Sequence, residues 1–257
     1  MSALKPLLIA IGLLLAWQAA VLITGVPAYI LPSPAAVLRA GMANAELLLA
    51  HAAVTGAEIL AGFVLGAALG SFTAIAMARF AAVRRWVLPV VVASQAIPVF
   101  ALAPVLVLWL GYGPASKIAM AVLVIYFPVT AAFLDGLRRT EPGWLDLAAV
   151  MGARGWAAMR WIRIPAALPA LGSGLRMAAA VAPIGAVIGE WVGSSAGLGY
   201  LMLQANARLK VDLLFAALAL LAAMGLLLFF AVDRAVRCAV PWQAESDDDA
   251  DGEDREG

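Results

Sequence analysis

The sequence predicts an all-α membrane protein with six transmembrane helices. Of its 257 residues, 65% are hydrophobic and 13% charged, with a mean hydropathy of +0.98. A soluble domain carries about 25% charge. The apolar residues gather into six long runs, as helices spanning a bilayer need, and not into the short alternating segments of a β-barrel. Lysine and arginine are divided unevenly between the segments that join the runs.

The first run, 7–24, follows Lys5. It is long for a signal-peptide core and reads as a retained helix. Residues 25–53 are interrupted by Pro27, Pro32 and Pro34 and turn mildly amphipathic over 38–49, as expected of a segment on the external surface. Residues 1–49 therefore form an N-terminal helix plus an external segment, and 50–242 a core with the remaining five spans. The single His51 has no metal or base partner nearby in sequence and is given no role.

The second run, 54–78, carries Gly62, Gly66 and Gly70 four residues apart. That spacing clears one helix face for close approach by another helix. Glu58 lies near its outer end. The third run, 87–110, contains Pro89, Pro98 and Pro104 and is predicted to bend or break between Gln95 and Pro104. Broken helices at membrane depth occur inside protein or beside a cavity. The fourth run is 118–134, with Pro128 inside. The fifth, 168–192, holds Arg176, Pro183, Glu190 and a second ladder, Gly185, Gly189 and Gly193. The sixth is 213–232.

With the N-terminus inside, the inner segments hold Lys5, Arg79, Arg84, Arg85, Arg138, Arg139, Arg154, Arg160, Arg163, Arg234, Arg237 and Arg255, twelve in all. The outer segments hold Arg39, Lys117, Arg208 and Lys210, which is four. This bias places both termini and the basic loop 136–167 in the cytoplasm. The tail, 243–257, has eight acidic residues and one arginine from Glu245 onward and is expected to be disordered.

The loop contains the most structured polar stretch, Asp146 to Pro165. Thr140 can cap a first helical piece that has Pro142 in its first turn. Leu147, Val150 and Met151 then share one face. Gly152 ends the piece, and a second, from Gly155, carries Arg160 and Arg163 and ends at Pro165. On physics alone it is either a helix in the headgroups anchored by Trp144, Trp156 and Trp161, or a docking site.

Several chemistries are missing from the sequence. The three lysines follow Leu4, Ser116 and Leu209, so no GK[ST] phosphate loop exists. Cys238 is the single cysteine, and no HExxH, GxSxG or Cys/His cluster is present. The chain is expected to be neither an enzyme nor a metal, cofactor or nucleic-acid binder. Gln95, Arg176 and Glu190 are the intramembrane polar groups that could line or gate a path, against the alternative that the charged two snorkel to an interface. Arg176 and Glu190, fourteen residues apart, lie roughly 21 Å apart along a helix and cannot pair.

The stretch Asp146-Leu147-Ala148, three residues, Gly152, nine residues, Ile162-Arg163-Ile164-Pro165 resembles the cytoplasmic signature of the permease subunits of binding-protein-dependent ABC importers, E-A-A-x3-G-x9-I-x-L-P. Asp replaces Glu, Leu replaces the first Ala and Ile replaces Leu. The family also often carries an acidic residue before a Gly-Leu-Gly turn, matched by Glu190 and Gly197-Leu198-Gly199. The resemblance covers roughly 50–242. It implies the type I importer permease fold in a bacterial inner membrane. It also implies a second permease copy, a solute-binding protein outside, and an ATPase subunit that binds ATP and magnesium. Asp146, Leu147, Ala148, Val150, Met151, Gly152, Ile162 and Pro165 would then form the coupling helix and its supports.

The segments 101–117 and 189–218 resemble the branch that imports nitrate, taurine and other sulfonates, and pyrimidine precursors of thiamine. Within it they are most similar to permeases for hydroxymethylpyrimidine-type precursors. The alternative of another class, an ion-coupled secondary transporter, would show an inverted repeat and embedded carboxylates. No repeat is evident, and Glu58, Asp135, Glu190, Asp212 and Asp233 sit near the ends of the runs.

Overall fold

The computed structural model describes residues 4–242, with side chains from residue 8. The described residues form helices and connecting turns with no strand. The expected acidic tail, 243–257, lies outside the described residues.

Helix α1 (Leu4–Thr24) covers the first run. Its 21 residues give roughly 31 Å, a bilayer's hydrocarbon thickness. Helix α2 (Pro34–Ala43) begins with Ser33 as its N-cap, the hydroxyl accepting from the Ala36 N–H at 3.2 Å. Helix α3 (Ala45–Arg79) starts well before the predicted second run, so the chain is helical straight across residue 49. The cause is local: Leu48, Ala52, Thr55 and Ile59 form one buried stripe that continues into the glycine ladder.

Helices α4 (Ala81–Ser94) and α5 (Val99–Leu110) replace a straight third span. They are bent by 105° at residues 95–98. Neither piece, at roughly 21 and 18 Å, crosses a bilayer alone. Pro98 caps α5, where its missing N–H costs nothing, whereas Pro89 and Pro104 lie inside the two helices.

Helix α6 (Pro114–Arg138) is the centre of the bundle. Met120, Ala121, Ile125, Val129, Phe133 and Leu137 are fully enclosed. They recur about every four residues, as one buried face requires. Helix α3 packs on one side of α6 and α9 (Ile164–Gly193) on the other. Both glycine ladders face α6, except for Gly193, which faces α5. A Cβ on Gly66 would come within 2.8 Å of Ile125, and one on Gly185 within 2.7 Å of the Ala121 backbone. Gly62 meets the same Ala121 from the opposite side, and Gly70, Gly189 and Gly193 abut Thr130, Lys117 and Val107. Helix α10 (Leu198–Ala207) is a short surface helix, and α11 (Val211–Ala239) completes the bundle against α9 and α10.

Candidate functional site

The two ends of the bundle carry different kinds of structure. At one end is the elbow. Helix α7 (Pro142–Val150) ends where Gly152 takes φ +82°, the left-handed region that glycine enters without strain. Gly155, at φ +59°, makes the second turn. The chain then re-enters helix at α8 (Trp156–Ala158).

The elbow departs from the sequence expectation in two places. Thr140 does not cap α7: Glu141 holds that position, and the Thr140 hydroxyl donates instead to the Leu137 carbonyl at 3.3 Å. The second piece also does not end at Pro165. A π-helical turn, Met159–Arg163, carries it directly into α9, so Trp156–Gly193 is one 38-residue run. Pro165 has no N–H for the Trp161 carbonyl. The wider turn before it, closed by Ile164 N–H donating to Met159 O, absorbs that defect without breaking the helix.

On the elbow, Leu147 (60% exposed), Val150 (86%) and Met151 (77%) stand out from the protein. Ala148 faces inward and is buried, and Asp146 is exposed. A cleft of about 600 Å³ runs beneath, lined by Trp144, Leu147, Met151, Trp161, Pro165 and Trp242, with Ile162 in its wall. Gly152 sits at the exposed tip with no atom near where a Cβ would be. A contiguous exposed apolar patch marks a site of contact with another protein or with the membrane.

At the far end, the N-terminus of α10 is held by side chains from two other helices. Gly197 N–H donates to His51 Nδ1 at 2.9 Å and Leu198 N–H to Thr55 Oγ1 at 2.7 Å. Gly199 and Tyr200 N–H groups donate to Glu190 Oε2, the latter at 3.3 Å. The Thr55 hydroxyl donates to Glu190 Oε1 at 2.6 Å, closing the network. The opening N–H groups of a helix have no partner of their own and favour a negative charge. Here each has an acceptor, and a buried one left without would cost about 1–3 kcal/mol. Gly197, at φ +107°, leaves the space that the Glu190 carboxylate occupies.

Beside this clasp, Lys117 Nζ lies 3.4 Å from Glu58 Oε1, both side chains almost fully enclosed. Sequence reasoning passed over three partners: His51 for the Gly197 N–H, Thr55 for Glu190 and Lys117 for Glu58. The available signal was the spacing of His51, Thr55 and Glu58, which puts three polar groups on the face that continues as Gly62, Gly66 and Gly70.

The remaining polar groups lie elsewhere. Arg176 Nε donates to Asp233 Oδ1 at 2.6 Å, tying α9 to α11, and Asp233 Oδ2 accepts from Arg237 at 2.9 Å. Gln95 is exposed in the α4–α5 break and donates to Ser94 Oγ at 3.3 Å. Among the described residues no cluster of His, Cys, Asp and Glu could hold a metal ion.

A bundle of apolar helices with one broken span, and an ordered apolar element projecting beyond it, defines an integral membrane protein organised around a helix-to-helix elbow. The chain belongs to the binding-protein-dependent transport system inner membrane component family, whose model matches residues 63–243. It is thus a permease subunit of an ABC importer, a transport protein and not an enzyme, and the family implies an ATPase and a solute-binding protein as partners.

A Haemophilus influenzae protein named a probable ABC transporter permease is 54% identical, over 90% of this chain and 94% of its own. The formylaminopyrimidine transport permease protein ThiX of Halalkalibacterium halodurans is 37% identical over 94% of this chain and 97% of its own. The riboflavin transport system permease protein RibX of Chloroflexus aurantiacus is also 37% identical, over 90% and 87%. Among solved structures, an inward-facing form of the MetNI methionine ABC transporter matches with a TM-score of 0.58 and 24% identity, covering 72% of this chain and 91% of that one. This likeness bears out the type I permease fold.

Proposed function

We propose that this permease imports a weakly charged nitrogen heterocycle, of the hydroxymethylpyrimidine type that serves as a thiamine precursor. The observation that carries the reading is the ion pairing inside the spans. Two cations within the spanning helices, Arg176 and Lys117, are already paired with Asp233 and Glu58. A strongly anionic substrate favours positive groups along its path. The near full-length likeness to ThiX agrees with this, and so does RibX, named for another heterocycle.

The working unit is two copies of this chain, with both termini in the cytoplasm and an ATPase pair below. ATP and magnesium are held by the ATPase. Leu147, Val150 and Met151 enter the ATPase surface, Gly152 sets the turn, and Asp146, Ala148, Ile162 and Pro165 support it. Gln95, at the break between α4 and α5, faces the path, and Glu190 acts at the outer gate. The solute-binding protein delivers substrate to the outer end.

A second reading, a sulfonate or taurine permease, is favoured by the taurine transport system permease protein TauC of Escherichia coli, 28% identical over 76% of this chain. Deleting the gene in a strain unable to make the thiamine pyrimidine separates the two. The expected result is no growth on the pyrimidine precursor and normal growth on thiamine. Normal precursor uptake with lost growth on taurine as sulfur source moves the substrate to the second reading.

A further inference from the structure

We infer that His51, Thr55 and Glu190 form a positioning clasp that makes α10 one rigid body with the outer ends of α3 and α9, so that arrival of the binding protein at α10 is passed along α9 to the elbow. The inference rests on the proposed orientation and docking role of the elbow.

The geometry supplies each link. Helix α10, ten residues or roughly 15 Å long, is too short to cross a bilayer and lies at the surface. Its inner face, Leu198, Leu201 and Ala205, is buried in the core. Its last two residues and the turn that follows, Asn206 to Lys210, are exposed, where an incoming protein can reach them. Its N-terminus is gripped by His51 and Thr55 of α3 and by Glu190 of α9. Glu190 lies three residues before the end of the helical run that begins in the elbow at Trp156. The same continuous helix therefore ends at the clasp on one side and at the elbow on the other.

The character of the contacts decides what moves with what. Along most of their length the α3, α6 and α9 interfaces are glycine, alanine and aliphatic side chains, surfaces that can slide. Buried hydrogen bonds are directional and fix register, and their cost when broken rises in a low-dielectric interior. The clasp is the densest set of such bonds among the described residues, and the Glu58–Lys117 pair beside it ties in α6. A push on α10 is thus carried into α9 and not absorbed at the α9–α10 turn.

The test uses the assembled permease–ATPase complex in nanodiscs with its binding protein. Thr55→Val and His51→Leu remove clasp acceptors, and Thr55→Ser keeps the hydroxyl. Expected for the two disrupting variants is normal co-purification of the ATPase and basal ATP hydrolysis within about twofold of wild type, while stimulation by loaded binding protein falls about tenfold or more, an ordinary size for coupling between two sites. Thr55→Ser keeps the stimulation. Full stimulation in Thr55→Val and His51→Leu overturns the clasp.

A second measurement does not depend on these variants. In a Cys238→Ser background, spin labels at Val192 and Leu203, both partly exposed, report the α9–α10 separation. One unchanged distance in the nucleotide-free and ATP-trapped complexes is expected, and a changed distance overturns the rigid body. Failure of the wild-type chain to bind the ATPase through its elbow would sink the docking reading instead, and is recognised by co-purification alone.

Discussion

At the scale of single residues, the glycines on α3 and α9 decide how closely the three central helices approach. Gly62 meets Ala121 from one side and Gly185 meets it from the other. Any larger side chain there has to push α6 away. Gly62→Leu is therefore expected to destabilise the protein by about 1–3 kcal/mol or more, as overpacking does. Gly113→Ala serves as the control, because Gly113 has open space around it and an extended φ of −77°. It is expected to change stability by no more than about 0.5 kcal/mol. Thermal melting of the two variants in detergent checks both.

The ladders were legible in the sequence because four-residue spacing is a property of the chain alone. Their partner was not, since nothing local says which helix will fill the groove. The same limit hid His51. A lone histidine has no signal until folding brings Gly197 N–H against its ring.

At the scale of elements, the elbow is the part that the chain wrote most clearly. The turn at Gly152 and the apolar spacing of Leu147, Val150 and Met151 were readable in advance, whereas the end expected at Pro165 was not kept. The π turn was not, because it depends on how α9 continues after Pro165. Nor was the start of α3 at Ala45, where the buried stripe overrides a mildly amphipathic pattern.

Gly152→Val tests the turn itself. A β-branched residue at φ +82° is strained by about 1–2 kcal/mol. Because no atom crowds the site, the rest of the fold is expected to stand. The expected outcome is normal membrane insertion with weakened recovery of the ATPase on affinity purification. Undiminished recovery would mean that the turn geometry is not needed for docking.

At the scale of the molecule, the basic residues and the two ends of the bundle give one arrangement. The elbow end collects Arg79, Arg154, Arg160 and Arg163, and the clasp end carries Lys117, buried and paired, with Arg208 and Lys210 exposed after α10. Reporter fusions after Thr140 and after Arg208 are expected to read cytoplasmic and external respectively. The reverse pattern would put the elbow out of an ATPase's reach. The class was legible because composition, charge bias and the elbow agree on it. The substrate was only partly so, because two of the charges that bear on it are silenced by partners far away in sequence, Asp233 for Arg176 and Glu58 for Lys117.

The central claim is that ATP hydrolysis drives this permease through the exposed apolar side chains of the elbow. Its most direct test is uptake of labelled hydroxymethylpyrimidine into liposomes holding the permease and its ATPase, with loaded binding protein outside and ATP trapped inside. The wild-type chain is predicted to accumulate substrate only with ATP, and Val150→Asp combined with Met151→Asp to insert normally and accumulate none. ATP-dependent uptake at the wild-type rate by the double variant would contradict the account.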